Sequence, residues 1–303
     1  MIEALNLTKR YGDRTVVGGL TFTVRPGTVT GFLGPNGAGK STTLRMTVAL
    51  TRPDEGTARI GGHAYRDLRD PIRHVGALLE TSAPHRALTA LDHLRWLARS
   101  NRIPLRRADE VLEAVGLTDA ARRRVGTYSL GMGQRLGLAA ALLGDPPVLI
   151  LDEPVNGLDA EGIRRLRELL RAKAAEGRTV LVSSHLMTEM SMVADHLIVI
   201  DRGRLLADTG MADFIARHGR SYVRVRAPEP VRLGEELRSK GATLATAPDG
   251  SLEVSGLCAA EVSRTAAAAG LVLDELSTHT GSLEETFLAL VARDHAAPGG
   301  TRV

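Results

Sequence analysis

The sequence predicts an α/β fold: a largely parallel sheet covered by helices, preceded by antiparallel strands, interrupted by a helical insertion and followed by a small α+β unit. Three observations predict it. Short continuous apolar runs at residues 28–33, 148–151, 179–182 and 197–200 read as strands buried on both faces, with amphipathic stretches between them. Residues 34–42, Gly-Pro-Asn-Gly-Ala-Gly-Lys-Ser-Thr, complete the pattern G-x-x-x-x-G-K-[ST] directly after the first of these runs. Beyond residue 218 the pattern changes to short strands and helices in the order βαββαβ, as in a ferredoxin-like unit.

The elements follow in order. Residues 2–33 alternate apolar and polar side chains between the turn signals Tyr11-Gly12-Asp13 and Pro26-Gly27, which predicts antiparallel strands leading into the phosphate-loop strand. A helix is expected over residues 41–50, then a strand pair and a strand at 75–79. From 84 to 143 the character changes: Leu88, Leu91, Leu94 and Leu97, then Val111, Leu112 and Val115, recur at helical spacing and predict a helical subdomain. Strand and helix then alternate, with a helix at 160–175, and the binding site belongs at the carboxyl ends of the parallel strands.

A composition shift near His218-Gly219 separates a domain of residues 1–217 from an accessory domain of residues 218–303. Strands are expected there at 221–226, 243–247, 252–255 and 272–276, with helices at 231–240 and 259–269. Ser282-Leu283-Glu284-Glu285 reads as a capping box opening a helix whose apolar face holds Leu283, Phe287 and Leu290; the tail from residue 296 is not expected to dock.

Composition narrows the function classes. Lys plus Arg number 39 against 35 Asp plus Glu, a net charge of +4 that is too small to argue for nucleic acid. The basic clusters at 102–107 and 122–124 have almost no aromatic neighbours for base stacking and read as solvated helix faces. Cys258 is the only cysteine, so no intramolecular disulfide forms; it is expected to be a small packing residue. The start lacks the pattern of a signal peptide, and no run approaches the roughly 18 apolar residues of a membrane span. The expectation is a soluble protein, or one held at a membrane by a partner.

The chemistry concentrates in two places. In residues 34–42, Gly34, Gly37 and Gly39 let the backbone approach phosphates, with Pro35, Asn36 and Ala38 completing the loop. Lys40 reaches the β and γ oxygens, Ser41 offers its hydroxyl to Mg²⁺, and Thr42 ends the motif, so the chain is expected to bind a nucleoside triphosphate. The second place is the apolar strand at 148–151, which ends in Asp152-Glu153-Pro154. In a phosphate-loop protein the first carboxylate holds Mg²⁺ and the second polarises the attacking water; alone, such a pair simply caps the next helix. Tyr128 to Arg135 precede a long apolar helix, where Ser129 and the following amides offer an anion site; without a phosphate from a second subunit, Ser129 is a plain N-cap.

These residues resemble the ATP-binding subunits of ABC transporters over residues 2–217. Tyr11 resembles the aromatic that stacks on adenine, residues 34–42 the Walker A loop, residues 128–135 the signature motif and residues 148–153 Walker B. Asn156-Gly157-Leu158-Asp159 is similar to the D-loop, and His185 stands where the family has its switch histidine. Two positions depart from the general pattern: Met132 replaces a polar signature residue, and Glu80 stands where most relatives have the Q-loop glutamine, adding a carboxylate near the metal. Both departures and the Ser-Leu-Glu-Glu-Thr-Phe ending look like the bacitracin and antibiotic exporter branch.

The resemblance implies an ATPase subunit at the cytoplasmic face of the cell membrane, driving a separate permease subunit as a head-to-tail homodimer. ATP would lie between the phosphate loop, Tyr11 and Glu80 of one copy and Ser129 and Gly131 of the other, with Asp159 at the same seam. Mg²⁺ would be held by Ser41, Asp152 and Glu80, with Glu153 and His185 as the catalytic pair. Other readings stay open: a soluble ATPase factor acting on ribosomes or DNA, an importer subunit, or a nucleotide-gated module with little turnover. The transported molecule is not written in this chain.

Overall fold

Antiparallel strands come first, as the alternation in residues 2–33 predicts. Strand β1 (Ile2–Tyr11) pairs with β2 (Arg14–Val24) from Ile2 opposite Val24 to Tyr11 opposite Arg14. Gly12 turns the hairpin with a φ of 57°, in the left-handed region that glycine enters without a Cβ penalty. After β3 (Val29–Leu33), every residue of which is buried, comes helix α1 (Lys40–Thr47). This helix stops short of the expected residue 50, because Ala49 turns left-handed with a φ of 57°. Strand β4 (Glu55–Ile60) then pairs with β1 to complete a three-stranded sheet in the order β2-β1-β4.

The computed structural model describes residues 1–79, 85–218, 222–279 and 282–296. Within it the chain divides into two compact units, Met1–Met211 and Ala212–Val303. After β5 (Val75–Leu78), the helical insertion contains α2 (Ala90–Ser100), α3 (Arg106–Ala114) and α4 (Leu130–Leu142). Leu91 and Leu94 of α2 and Val111 and Leu112 of α3 are buried, as their spacing predicts, each stabilising by roughly 1.5–3 kcal/mol. Thr89 caps α2, its hydroxyl accepting the Asp92 N–H at 3.1 Å.

The chain then returns through β6 (Val148–Asp152), α5 (Ala160–Ala175), β7 (Thr179–Ser184), α6 (Met187–Ser191), β8 (His196–Asp201) and β9 (Arg204–Gly210). The sheet order is β5-β6-β7-β3-β8-β9. All its neighbours are parallel except β9, which closes one edge antiparallel to β8 and which the sequence pattern did not announce. Because β6, β7 and β3 are adjacent, their carboxyl ends bring residues 152–153, 183–185 and 34–40 to one side of the sheet. Helix α7 (Met211–His218) follows β9.

The second unit has β10 (Tyr222–Arg226), α8 (Pro230–Ser239), β11 (Thr243–Thr246), β12 (Leu252–Ser255), α9 (Ala259–Ala268), β13 (Glu275–His279) and α10 (Leu283–Ala296). Its sheet runs β11-β12-β10-β13 with every pair antiparallel, which inserts β12 between the two strands joined by α8 and gives the ferredoxin-like split βαβ. Val223, Val225, Leu252 and Val254 point to one face and pack with Leu233 and Leu237 of α8 and Val262 and Ala266 of α9. The last strand begins later than residue 272: Leu271 is buried outside any strand and Val272 is 70% exposed, while Leu276 pairs opposite Val225. Ser282 and Glu285 form the expected capping box, the Ser282 hydroxyl accepting the Glu285 N–H at 3.1 Å and the Glu285 carboxylate the Ser282 N–H at 3.1 Å. Cys258 is not a packing residue; it is exposed at the N-cap of α9.

Candidate active site

Strand β3 delivers the glycine loop, and contacts of the loop explain its composition. A Cβ on Gly34 would stand 2.5 Å from the Ile200 carbonyl oxygen, and one on Gly39 2.8 Å from that of Val16. Gly39 also has a φ of 104° and is the N-cap of α1, so only glycine meets both demands there. Gly37, with a φ of 80°, turns the exposed crest of the loop in open space. Ala38 is buried and fixes the loop to the β8–β9 turn, its carbonyl accepting the Gly203 N–H at 2.9 Å.

Lys40 folds back over this loop. Its Nζ, buried apart from 6% of the residue's surface, donates to the Gly34 carbonyl at 2.7 Å and stands 3.7 Å from Glu153 Oε1. Pro35, Asn36, Gly37, Gly39, Lys40, Ser41 and Thr42 line a cleft of about 360 Å³ together with Val16, Glu153, Asn156 and His185. A loop of backbone amides at a helix N-terminus beside an ammonium is a phosphate site.

The opposite wall is formed just beyond the ends of β6 and β7 by Glu153, Asn156 and His185, with Asp152 and Ser183 behind it rather than lining the cleft. Asp152 ends β6 in register with Ser183, whose hydroxyl donates to its carboxylate. Both residues are buried, which is tolerable because the carboxylate is hydrogen-bonded. Glu153 leaves the strand in the left-handed region, with a φ of 48°, a conformation costing about 1–3 kcal/mol for a non-glycine residue. Its N–H is held by the Ser183 hydroxyl at 3.0 Å and the Ser183 carbonyl at 3.2 Å. Its carbonyl accepts from the Asn156 N–H at 3.2 Å and from Gln134 Nε2 at 3.0 Å. Its carboxylate bonds His185 Nδ1 at 2.8 Å, so acid, ammonium and imidazole converge on one point of the cleft.

The remaining expected residues lie elsewhere. Tyr11 is 53% exposed at the β1–β2 turn, beneath the Lys9 ammonium at 5.5 Å, and does not line the cleft. Ser129 is the N-cap of α4, its hydroxyl accepting the Met132 N–H at 3.2 Å, and Asp159 caps α5 by accepting the Gly162 N–H at 2.9 Å. Neither lines the cleft. Gly131 is held against the D-loop: a Cβ there would stand 2.3 Å from the Gly157 carbonyl oxygen. Glu80 lies outside the described residues.

Sequence reasoning missed four participants. Asn156 reaches the cleft through the turn it makes with Glu153, a signal present in the D-loop spacing. Val16, Ser183 and Gln134 contribute by pairing across strands or between helix and loop, which no local pattern announces.

Comparison with known proteins points to one family. A family model described as "ABC transporter" matches residues 17–156, and residues 221–284 match a domain of unknown function (DUF8746). The bacitracin transport ATP-binding protein BcrA of Enterococcus faecalis is 34% identical over 96% of this chain and 96% of its own. The daunorubicin/doxorubicin resistance ATP-binding protein DrrA of Streptomyces peucetius is 35% identical over 95% and 92% of the two chains. A bacterial ABC transporter cassette solved as a dimer is 25% identical, with a TM-score of 0.64 over 70% of this chain and 99% of that one. From the phosphate loop to the carboxylate wall, and over nearly the full length of its relatives, the chain belongs to the ATP-binding proteins of ABC transporters.

Proposed function

We propose that this chain is the ATP-hydrolysing subunit of an exporter, working as a head-to-tail homodimer on a separate membrane permease. The observation that carries the reading is the division of the site. Lys40, Glu153 and His185 converge with the loop amides in one cleft, whereas Ser129 caps a helix outside it. Two copies placed head to tail would bring the Ser129 end of α4 in one to the cleft of the other, closing over ATP. The dimeric cassette supports the pairing of two copies.

In this reading Lys40 holds the γ-phosphate, Glu153 orients and deprotonates the attacking water, and His185 keeps the Glu153 carboxylate in place and donates toward the phosphate oxygens. The residues fit Mg²⁺ borne on ATP, which needs only one or two protein oxygens. Thr43 and Thr47 turn their hydroxyls back onto helix carbonyls at 2.8 and 3.0 Å, while the Ser41 hydroxyl faces the cleft with no hydrogen bond among the described residues. Ser41 and Asp152 would hold the ion, with Glu80 the third candidate, and the ion would neutralise charge on the β and γ oxygens.

Relatives named for bacitracin transport, for daunorubicin/doxorubicin resistance and for Nod factor export support export of a drug or peptide antibiotic, with a lipid-like molecule the third candidate. No helix among the described residues is long and apolar enough to cross a membrane. In the proposed reading the passage lies in the permease, and this subunit docks at its cytoplasmic face. The E153Q variant tests the reading. Its turnover should fall by about 100- to 10,000-fold while ATP affinity and ATP-dependent dimerisation persist. Turnover within a few-fold of wild type would remove Glu153 from the chemistry.

A further inference from the structure

We infer that Gln134 is a positioning residue for ATP hydrolysis, setting the Glu153 carboxylate by holding its left-handed backbone. The inference rests on the proposed ATPase reading.

Along a regular strand, Asp152 and Glu153 would point to opposite faces. The left-handed turn at Glu153 breaks that alternation and brings its carboxylate to Lys40, at 3.7 Å, and His185, at 2.8 Å. Such a backbone persists only where its surroundings over-determine it. On the N–H side, Ser183 supplies both a hydroxyl and a carbonyl. On the carbonyl side, one bond is the local turn to Asn156, and the other, at 3.0 Å, comes from the amide of Gln134, the only side chain among the described residues that donates to that oxygen.

Gln134 itself is well placed to be rigid. It lies one turn after Gly131 on α4, and residues three apart share a helix face. That face meets residues 153–157 twice, through the Gly131 approach to the Gly157 carbonyl and through the Gln134 amide. The next residue, Arg135, donates to the Gly116 carbonyl at 3.3 Å and ties the same turn of α4 to the end of α3. Gln134 therefore needs neither charge nor contact with nucleotide to act; it needs an N–H donor at this length.

The test compares Q134M, which keeps the length and removes the donor, with Q134K, which restores one, in the full-length chain. Both should bind ATP within about twofold of wild type. Turnover should fall by about 100-fold in Q134M, the effect of misplacing a reacting group by about 1 Å, and recover to within a few-fold in Q134K. Adding Q134M to E153Q should cost nothing further, since residues acting as a unit are non-additive. Wild-type turnover in Q134M, or a Q134K enzyme as slow as Q134M, would overturn the inference while leaving the ATPase reading intact if E153Q is slow. A wild-type chain that binds ATP without hydrolysing it would remove both.

Discussion

The two units of this chain are built to different tolerances. Among the described residues, all seven non-glycine residues with a positive φ, from Asn6 to Arg202, belong to the first unit. The same holds for every described glycine at which an added Cβ would stand within 3 Å of another atom, including Gly34, Gly39 and Gly131. In the second unit the nearest such approach is 3.3 Å, from Gly234 to the Leu244 side chain. Its strand β10 simply alternates buried valines with more exposed polar side chains. Buried charge divides the same way: Lys40, Asp152 and Asp201 are all in the first unit. Strain and buried charge are sustained where a backbone must approach a ligand or hold a reacting group. The second unit is close to a propensity-driven α+β sandwich.

Paired alanine substitutions sharpen the contrast. G131A places a Cβ against the Gly157 carbonyl, which cannot yield without moving the loop behind Glu153; turnover should fall by about 100-fold and stability by about 1–3 kcal/mol. G234A, inside α8, meets only the ends of flexible side chains, Leu244 at 3.3 Å, Arg238 at 3.6 Å and Leu252 at 3.9 Å, and should leave turnover unchanged while stabilising by up to about 1 kcal/mol. Steady-state ATPase and denaturant titration of both variants check this. Equal effects would erase the distinction between the units.

This contrast also explains what the sequence made legible. The phosphate loop, the strand ending in Asp152-Glu153 and the βαββαβ order could all be read, because each is local: a glycine pattern, an apolar run, an alternation. Edge strand β9 could not, since its half-exposed residues alternate only weakly and its pairing with β8 is tertiary. Nor could Gln134 or Ser183, whose roles exist only because the chain brings α4 and β7 to the end of β6. His185 was legible by position alone; its partner, Glu153, is 32 residues away.

A smaller effect separates the units by pH. Burial lowers the His93 pKa from its ordinary 6.5, so the unfolded chain takes up that proton first and the first unit loses stability as the pH falls below about 6.5. In the second unit, hydrogen bonds from Ser251 and the Arg224 guanidinium hold the Asp249 carboxyl far below its ordinary 3.8. That contribution is complete above 3.8 and is lost as the pH falls below it toward the lowered value. Denaturant titrations at stepped pH can follow the first unit through Trp96, the chain's one tryptophan, and the second through methyl NMR signals of Val223 and Val254. The Trp96 midpoint should drop first, and H93Q should flatten that drop. Simultaneous loss of both signals would contradict the assignment.

The central claim is that a complete site takes a cleft from one copy and the Ser129 end of α4 from another. Mixing two inactive variants tests it most directly. S129D keeps a good helix cap but sets a carboxylate against the partner's phosphate, whereas E153Q disables the cleft. Each alone should be nearly inactive, and the equimolar mixture should recover about a quarter of the wild-type rate, since half of the pairs are mixed and each mixed pair has one complete site. A mixture no faster than its separate components would contradict a site shared between copies.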